Sequence, residues 1–495
     1  MEKVAIIELN EKELKLSIFN VVGARKELAL EQSQSLSIGK EIEREELLSP
    51  QTKNKILEIL KVYRKMIENF HVDHTISVAM SIVASARNYR GFMDEIYNNT
   101  GLSFNIMGDE DQIKYLFSAI INSIDNPKGI FVYIGGFSSY IVKYNRRAIA
   151  TSVILPFGTN NINEKDEVDL NSIVKSFKKK IDVKDFVHDE EEDIKIIGVG
   201  NTFLSMGKIA KKITRYPLDI DNNYVISLET INKTYEFIKG IELDKIRKIK
   251  GVNYDDADKI AIGFAMIKAI SEILPMKEVI ISNANIRAGV LSVNVLSSVQ
   301  ERFNDLLSNS LDNYLTFNKN EFSINENVHN LSIILFKQLK VMHKLPRFYV
   351  KPLRIASYMY DCGKSINVED YAKHGLEKIL YSGINGATHR ELLIAGFICV
   401  CQNLDEFSLN EWIKYKDILT DEDLDAVRKL GVILKLAVNL NASRRVVIQD
   451  VVCDILGDSI IMKTVVEGDA TYEIMEGMKV APEYKKVYKK CLQII

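Results

Sequence analysis

The stretch from Gly129 to Val142, GIFVYIGGFSSYIV, brings together residue types able to hold an anion. An apolar run, Ile130 to Ile134, reads as a buried strand, and a second β-rich run, Ser139 to Lys143, follows Gly135-Gly136 at once. A hairpin with a glycine tip lets backbone N–H groups approach a phosphate closely. An ordinary tight hairpin has the same composition, so both readings stand at this point. Basic clusters at Lys175–Lys184, Lys208–Arg215, Lys245–Lys250, Arg444-Arg445 and Lys485–Lys490 could line a path for a linear polyanion. Most have acids nearby, and solvated helix faces explain most of them. Cys399-Val400-Cys401 lies in a helical pattern, where side chains two apart diverge, so it does not read as a metal clip.

The elements that must position the glycine turn come in two similar runs. Val4 to Leu9 and Glu13 to Asn20 read as a hairpin, with Leu28 to Ser37 as a third strand. Pro50 to Asn69 has helical spacing, His74 to Val83 is β-rich, and Gly91 to Thr100 is a short helix. Phe104 to Met107 is a strand and Glu110 to Ser123 a helix. After Pro127 the glycine hairpin opens a second unit, with a strand Ala150 to Pro156, a strand Ile194 to Val199 and a helix through Lys212. Helices Leu228 to Lys239 and Asp256 to Ile273 precede a strand Glu278 to Ser282. Such repetition predicts two α/β lobes with a cleft between them. Beyond Asn294 the pattern is helical, from Asn327 to Asn441. Alternation returns from Arg445 to Glu476 and predicts a small β-meander, in which ATYEIMEG is one strand. The acidic run Asp189 to Asp193 reads as a solvated loop.

With 495 residues, 46% of them hydrophobic and 27% charged, the chain suits a globular protein of about three domains. A net charge of −2 gives no bulk signal for DNA or a membrane surface. No run approaches the ~18 apolar residues of a membrane helix, and MEKVAIIELN begins a strand without the pattern of a signal peptide. The five cysteines, Cys362, Cys399, Cys401, Cys453 and Cys491, are odd in number and read as reduced thiols. A cytoplasmic location is expected.

The order of these elements, with local matches, resembles the exopolyphosphatase/guanosine pentaphosphate phosphohydrolase (Ppx/GppA phosphatase) family. The matches are SVAMSIVASARNYRGF at Ser77–Phe92, NIMGDEDQIKYL at Asn105–Leu116, VYIGGFSSYIV at Val132–Val142, LPFGTNN at Leu155–Asn161, GVGNTF at Gly198–Phe203 and ISNANIRAGVL at Ile281–Leu291. The resemblance implies two actin-like (ribonuclease H-like) α/β lobes, here residues 1–126 and 127–300, the second carrying the phosphate turn. An all-α HD-like domain at 301–443 and a small β/α tail at 444–495 would follow. It also implies Mg²⁺-assisted hydrolysis of a terminal phosphoanhydride, with polyphosphate or guanosine penta/tetraphosphate as ligand, and a homodimer.

By the same resemblance Glu110, in GDED, stands at the catalytic glutamate, with Asp111 and Glu8 as metal-side acids. Gly135, Gly136, Ser138, Gly198 and Gly200 would cradle phosphate, and Lys15 and Arg287 would clamp it. Several family positions are substituted. In D-I-G-G-G-S-T-E the aspartate is Tyr133, the third glycine Phe137 and the glutamate Tyr140, and a phenol of pKa about 10 is no anionic ligand near neutral pH. The small polar loop of the first hairpin has become Asn10, Glu11, Lys12 and Glu13; Asn88 and Asn161 take arginine places, and Asp256 another. In the helical domain His329, Asp361, His374 and His389 keep the family order, but the His-Asp pair reads Tyr360-Asp361. The expectation is therefore a weakly active or non-catalytic member that binds a phosphorylated ligand or a partner. The alternative is an active metal-dependent hydrolase using Glu110.

Overall fold

Strand β1 (Glu2–Leu9) is apolar at four consecutive positions because both faces of its sheet are covered: Val4 and Ile6 enter one core, Ala5 and Ile7 another. In the computed structural model, which describes residues 1–162, 169–186, 194–249, 252, 256–296, 304–318 and 322–495, β1 is the middle of a five-stranded sheet. On one side β2 (Glu13–Val22) and β3 (Arg25–Ser35) add antiparallel. On the other, β4 (His74–Met80) and β5 (Phe104–Met107) add parallel, giving the order β3-β2-β1-β4-β5.

The same order recurs in the second sheet. There β6 (Gly129–Ile134) is flanked by β7 (Ser139–Asn145) and β8 (Ala148–Leu155), then by β9 (Lys195–Val199) on the other side. Outermost are β10 (Tyr224–Ser227) and β11 (Glu278–Ser282), giving β10-β11-β9-β6-β7-β8. One topology used twice gives two actin-like lobes, and both lie in the compact unit Met1–Leu306. The helices Asp109–Ile121 and Ile286–Asn294 pack together and share one core with both sheets, through Phe117, Ile120, Val290 and Leu291. A Cβ on Gly289 would overlap the backbone of Tyr115, so glycine sets how closely these helices approach. That approach matters because their N-termini point toward the glycine turn and the cleft beside it.

The second unit, Leu307–Ile495, is helical through Asn439 and ends in a three-stranded sheet. In that sheet β12 (Ile448–Leu456) and β13 (Ser459–Val466) form the expected hairpin. The expected strand at ATYEIMEG is instead the helix Thr471–Met478. Glu473 and Gly477, four residues apart, are buried while Tyr472 and Met475 face outward, a helical division that mimics alternation over a few residues. The third strand is β14 (Cys491–Ile494), parallel to β13. Two further differences lie in the first unit. The run from His74 stops being a strand at Met80 and turns through Ser81–Ala84, and the expected third strand ends at Ser35 before a helix, Ile38–Glu45. The acidic run Asp189 to Asp193 lies outside the described residues, as does Lys250. No helix among the described residues is long and apolar enough to cross a membrane.

Candidate functional site

Between the two lobes lies a cleft of about 600 Å³, and the turn Gly135–Ser138 forms part of its wall. Gly135 N–H closes the turn by donating to the Ser138 carbonyl, 3.0 Å. A neighbouring loop holds the turn from behind: the N–H groups of Thr159 and Asn160 donate to the carbonyls of Gly135 (3.0 Å) and Gly136 (2.8 Å). Gly158 must lack a side chain there, since a Cβ would fall on the backbone of Gly135 and Gly136. With the carbonyls turned toward that loop, the N–H groups of Gly136, Phe137 and Ser138 have no acceptor among the described residues. A second set of donors comes from the N-terminus of the helix Asn201–Ile213, whose leading residues Gly200, Asn201 and Thr202 line the cleft. Gly200 takes φ +92°, a left-handed conformation that fits glycine and aims this helix end. Unpaired amides at a turn and at a helix N-terminus are the usual means of holding an anion without a metal.

Some charged side chains of the cleft are ion-paired, whereas the lining acids Glu8, Glu11 and Asp258 have no ionic partner among the described residues. Lys15 Nζ lies 3.0 Å from Glu13 and 3.7 Å from Glu31, and Arg287 lies 2.7 Å from Glu31. Lys12, from the hairpin turn of the first lobe, pairs at 2.6 Å with Asp256 of the second. Glu8 sits opposite Lys15 in the β1–β2 register. Its burial raises the carboxyl pKa, and Arg287 and Lys15 offset only part of that rise. Among the described residues Lys40 and Lys259 are the cleft cations with no ionic or hydrogen-bond partner.

Tyr133 and Tyr140 are cross-strand partners with stacked rings, 5.3 Å apart at 16°. The Tyr140 hydroxyl donates to Asp109 Oδ1 at 2.7 Å, and the Ser138 hydroxyl lies 3.0 Å from Tyr140 Oη and 3.3 Å from the same carboxylate oxygen. Burial pushes both phenols well above their ordinary value, with Glu11 acting in the same direction on Tyr133 and Asp109 on Tyr140. Both therefore remain neutral near physiological pH.

The residues singled out from sequence are thus partly gathered. Gly135, Gly136, Ser138, Gly200, Lys15, Arg287 and Glu8 all line the cleft. Gly198 does not; it lies beneath the Phe203 ring, where a Cβ would overlap the aromatic carbons. Glu110 and Asp111 are exposed and outside the cleft wall, and Asp111 is spent as a helix cap, accepting from Gly108 N–H at 3.3 Å. The carboxylate that reaches the turn is their neighbour Asp109, which the sequence reading passed over. Helix phase alone does not single it out: Asp109 stands four residues before Ile113 and seven before Leu116, Glu110 three before Ile113 and seven before Phe117, and all three apolar residues are buried. The Lys12–Asp256 and Arg287–Glu31 pairs were also missed, since they join residues far apart in sequence.

The donor set offers no all-protein cage for a metal ion among the described residues. Among the described residues no three His, Cys, Asp or Glu side chains come together in a way that could hold a metal ion. In the second unit His329 bonds Ser357 at 2.9 Å and stacks on Tyr358, while Asp361 lies near Lys364 and Arg444. His374 and His389 do not complete a ligand set with them.

A family profile, that of the Ppx/GppA phosphatase family, matches residues 17–298, more than half of the chain. The chain belongs to the Ppx/GppA phosphatase family. A curated relative, the bifunctional 3-dehydroquinate synthase/phosphatase of Fusobacterium nucleatum, is 25% identical over 271 residues, which are 52% of this chain and 40% of that protein. The chain thus spans well under half the length of that relative. Among solved structures, a Ppx/GppA family member from Aquifex aeolicus is 22% identical with a TM-score of 0.52, covering 60% of this chain and 98% of its own. An exopolyphosphatase from Cytophaga hutchinsonii is 16% identical with a TM-score of 0.54, covering 61% of this chain and all of its own. These structures share the fold of the two Ppx/GppA lobes, and the chain is exopolyphosphatase-like in that sense.

Proposed function

We propose that this Ppx/GppA protein binds a phosphorylated ligand in the interlobe cleft and hydrolyses it weakly or not at all. The observation that carries the reading is the set of amide donors at the turn that have no acceptor among the described residues. The amides of Gly136, Phe137 and Ser138, in the cleft wall, have no acceptor among the described residues, while Glu13, Glu31 and Asp256 are held by Lys15, Arg287 and Lys12, and Asp109 by Tyr140; Glu11, whose Oε1 lies 3.3 Å from where a Cβ on Gly136 would stand, is not ion-paired among them and opposes an anion there. Amides, the helix end at Gly200 and the cations Lys40 and Lys259 supply what phosphate oxygens need. A divalent ion held by the protein alone would need three converging ligands, and among the described residues no such group occurs. The name of the Fusobacterium relative supports phosphate chemistry on this fold, and the candidate ligands are polyphosphate and guanosine penta/tetraphosphate. Such a protein acts by reporting ligand occupancy to a partner, in a cytoplasm whose reducing conditions suit five unpaired thiols.

The second reading, an active hydrolase, is favoured by the carboxylates beside the turn: Asp109, which accepts from Ser138, and Glu11, which lies against Gly136. The test supplies long-chain polyphosphate or guanosine pentaphosphate with Mg²⁺ or Mn²⁺ and follows phosphate release, alongside calorimetric binding. Binding with no release above background is expected. Turnover that Glu110→Gln abolishes would establish the hydrolase and its expected base; turnover lost in Asp109→Asn but kept in Glu110→Gln would move the base by one residue.

A further inference from the structure

We propose that Phe137 is a specificity residue whose ring divides the space between the lobes and limits the phosphate turn to compact phosphoanions. This rests on the phosphate-binding reading above. The ring belongs to the turn of the second lobe, yet its far edge meets the first: a Cβ on Gly39 would stand 3.0 Å from Phe137 Cε2 and 3.4 Å from Cζ. Gly39 is the second residue of the helix Ile38–Glu45, and its N–H donates to the Glu11 carbonyl at 2.9 Å, so the surface opposite the ring is held in place. From its own side, Asn161 Nδ2 donates to the Phe137 carbonyl at 3.4 Å. The ring therefore spans from one lobe to the other.

Phe137 also lines two separate cavities. One is the cleft of about 600 Å³ that contains the free amides; the other, about 410 Å³, is bounded by Ile42, Glu43, Glu46, Arg87 and Asn161. Without the ring these two spaces would run together along the interlobe gap. The second space also repels phosphate. Its one arginine is ion-paired with Glu46, which leaves Glu43 uncompensated among the lining charges. A linear polyphosphate held at the turn thus meets an aromatic wall with acids behind it. Only its terminal groups can be engaged, and a short phosphoanion makes the same contacts as a long one.

The experiment is isothermal titration of the full chain with tripolyphosphate and with a polyphosphate of several tens of residues, expressed per chain end. The wild type, Phe137→Gly and Phe137→Ala are compared, with thermal midpoints confirming that each variant is folded. Wild-type affinities for the two ligands are expected to agree within about twofold, and the variants to favour the long chain by about tenfold. A wild type that already favours the long chain tenfold overturns the proposal, whatever the variants do. So does a folded variant of either kind with an unchanged ratio. If no protein binds tripolyphosphate, the phosphate-binding reading itself fails and takes this proposal with it, a result distinct from a failed length comparison.

Discussion

Tyr140 has zero exposed surface and donates a hydrogen bond from its hydroxyl to Asp109, so one phenol both fills the sheet face and occupies a carboxylate beside the phosphate turn. Tyr140→Phe leaves that carboxylate with Ser138 alone and is expected to cost about 1–2 kcal/mol, read as a lower urea midpoint. A change below about 0.5 kcal/mol would show that water serves Asp109 as well as the phenol does. His329 offers a test by pH. Burial, aided by the positive charge of Arg354, lowers its imidazolium pKa to about 4. An unfolded chain takes up the proton near pH 6.5 and the folded one only near 4. This contribution is therefore complete above pH 6.5 and is lost as pH falls toward 4, by at most about 1.4 kcal/mol per unit. In His329→Gln, which keeps a partner for Ser357, the slope of stability between pH 6.5 and 5 should flatten. The substitutions at Tyr133, Phe137 and Tyr140 could be read by setting the sequence against the pattern of the family it resembles. Which of Asp109, Glu110 and Asp111 meets the turn could not be read from type, because consecutive residues of a helix point about 100° apart and tertiary packing sets the phase.

At the scale of elements, helix termini carry much of the account. In the second unit the helix Asp421–Asn439 begins at a capping box formed by Thr420 and Asp423. Asp423 is fully buried, accepting from Tyr349 at 2.8 Å and from two Arg390 nitrogens at 3.0 Å each. Burial alone would raise its carboxyl pKa, but Arg390, the Thr420 amide and Tyr349 together hold it below the usual range. Arg390→Met removes two charge-assisted bonds and should destabilise by about 2 kcal/mol. The loss should shrink in acid, as protonation of Asp423 relieves the unpaired charge; a loss that is constant down to pH 3 would contradict this role. Long strands and helices were legible because apolar period and length agree over many residues, as in the helix Pro50–Asn69. The four-residue strand Tyr224–Ser227 was not, being too short to show a period. Nor was the helix Thr471–Met478, where eight residues are too few to separate the two periods; in the fold Gly477 lies close against Leu440 and Ile494.

At the scale of the molecule, the family profile ends within the first compact unit, which holds the whole interlobe cleft. Residues 1–306 made alone should therefore fold cooperatively and bind tripolyphosphate within about threefold of the full chain. An affinity at least tenfold lower would show that the second unit contributes to the site. The two-lobed fold was legible because the strand–helix order repeats and six short motifs occur in sequence. The state of the cleft was less so, because Lys12–Asp256 and Arg287–Glu31 join residues hundreds of positions apart. Those pairs, with the unpaired turn amides, are the basis for assigning phosphate binding that needs no metal. Titration of the full chain with tripolyphosphate, in EDTA and then in Mg²⁺, with phosphate release followed in the same samples, tests that assignment directly. The account predicts equal affinity within about threefold in both conditions and no release above background. Binding that disappears in EDTA, together with Mg²⁺-dependent release of phosphate, would contradict it.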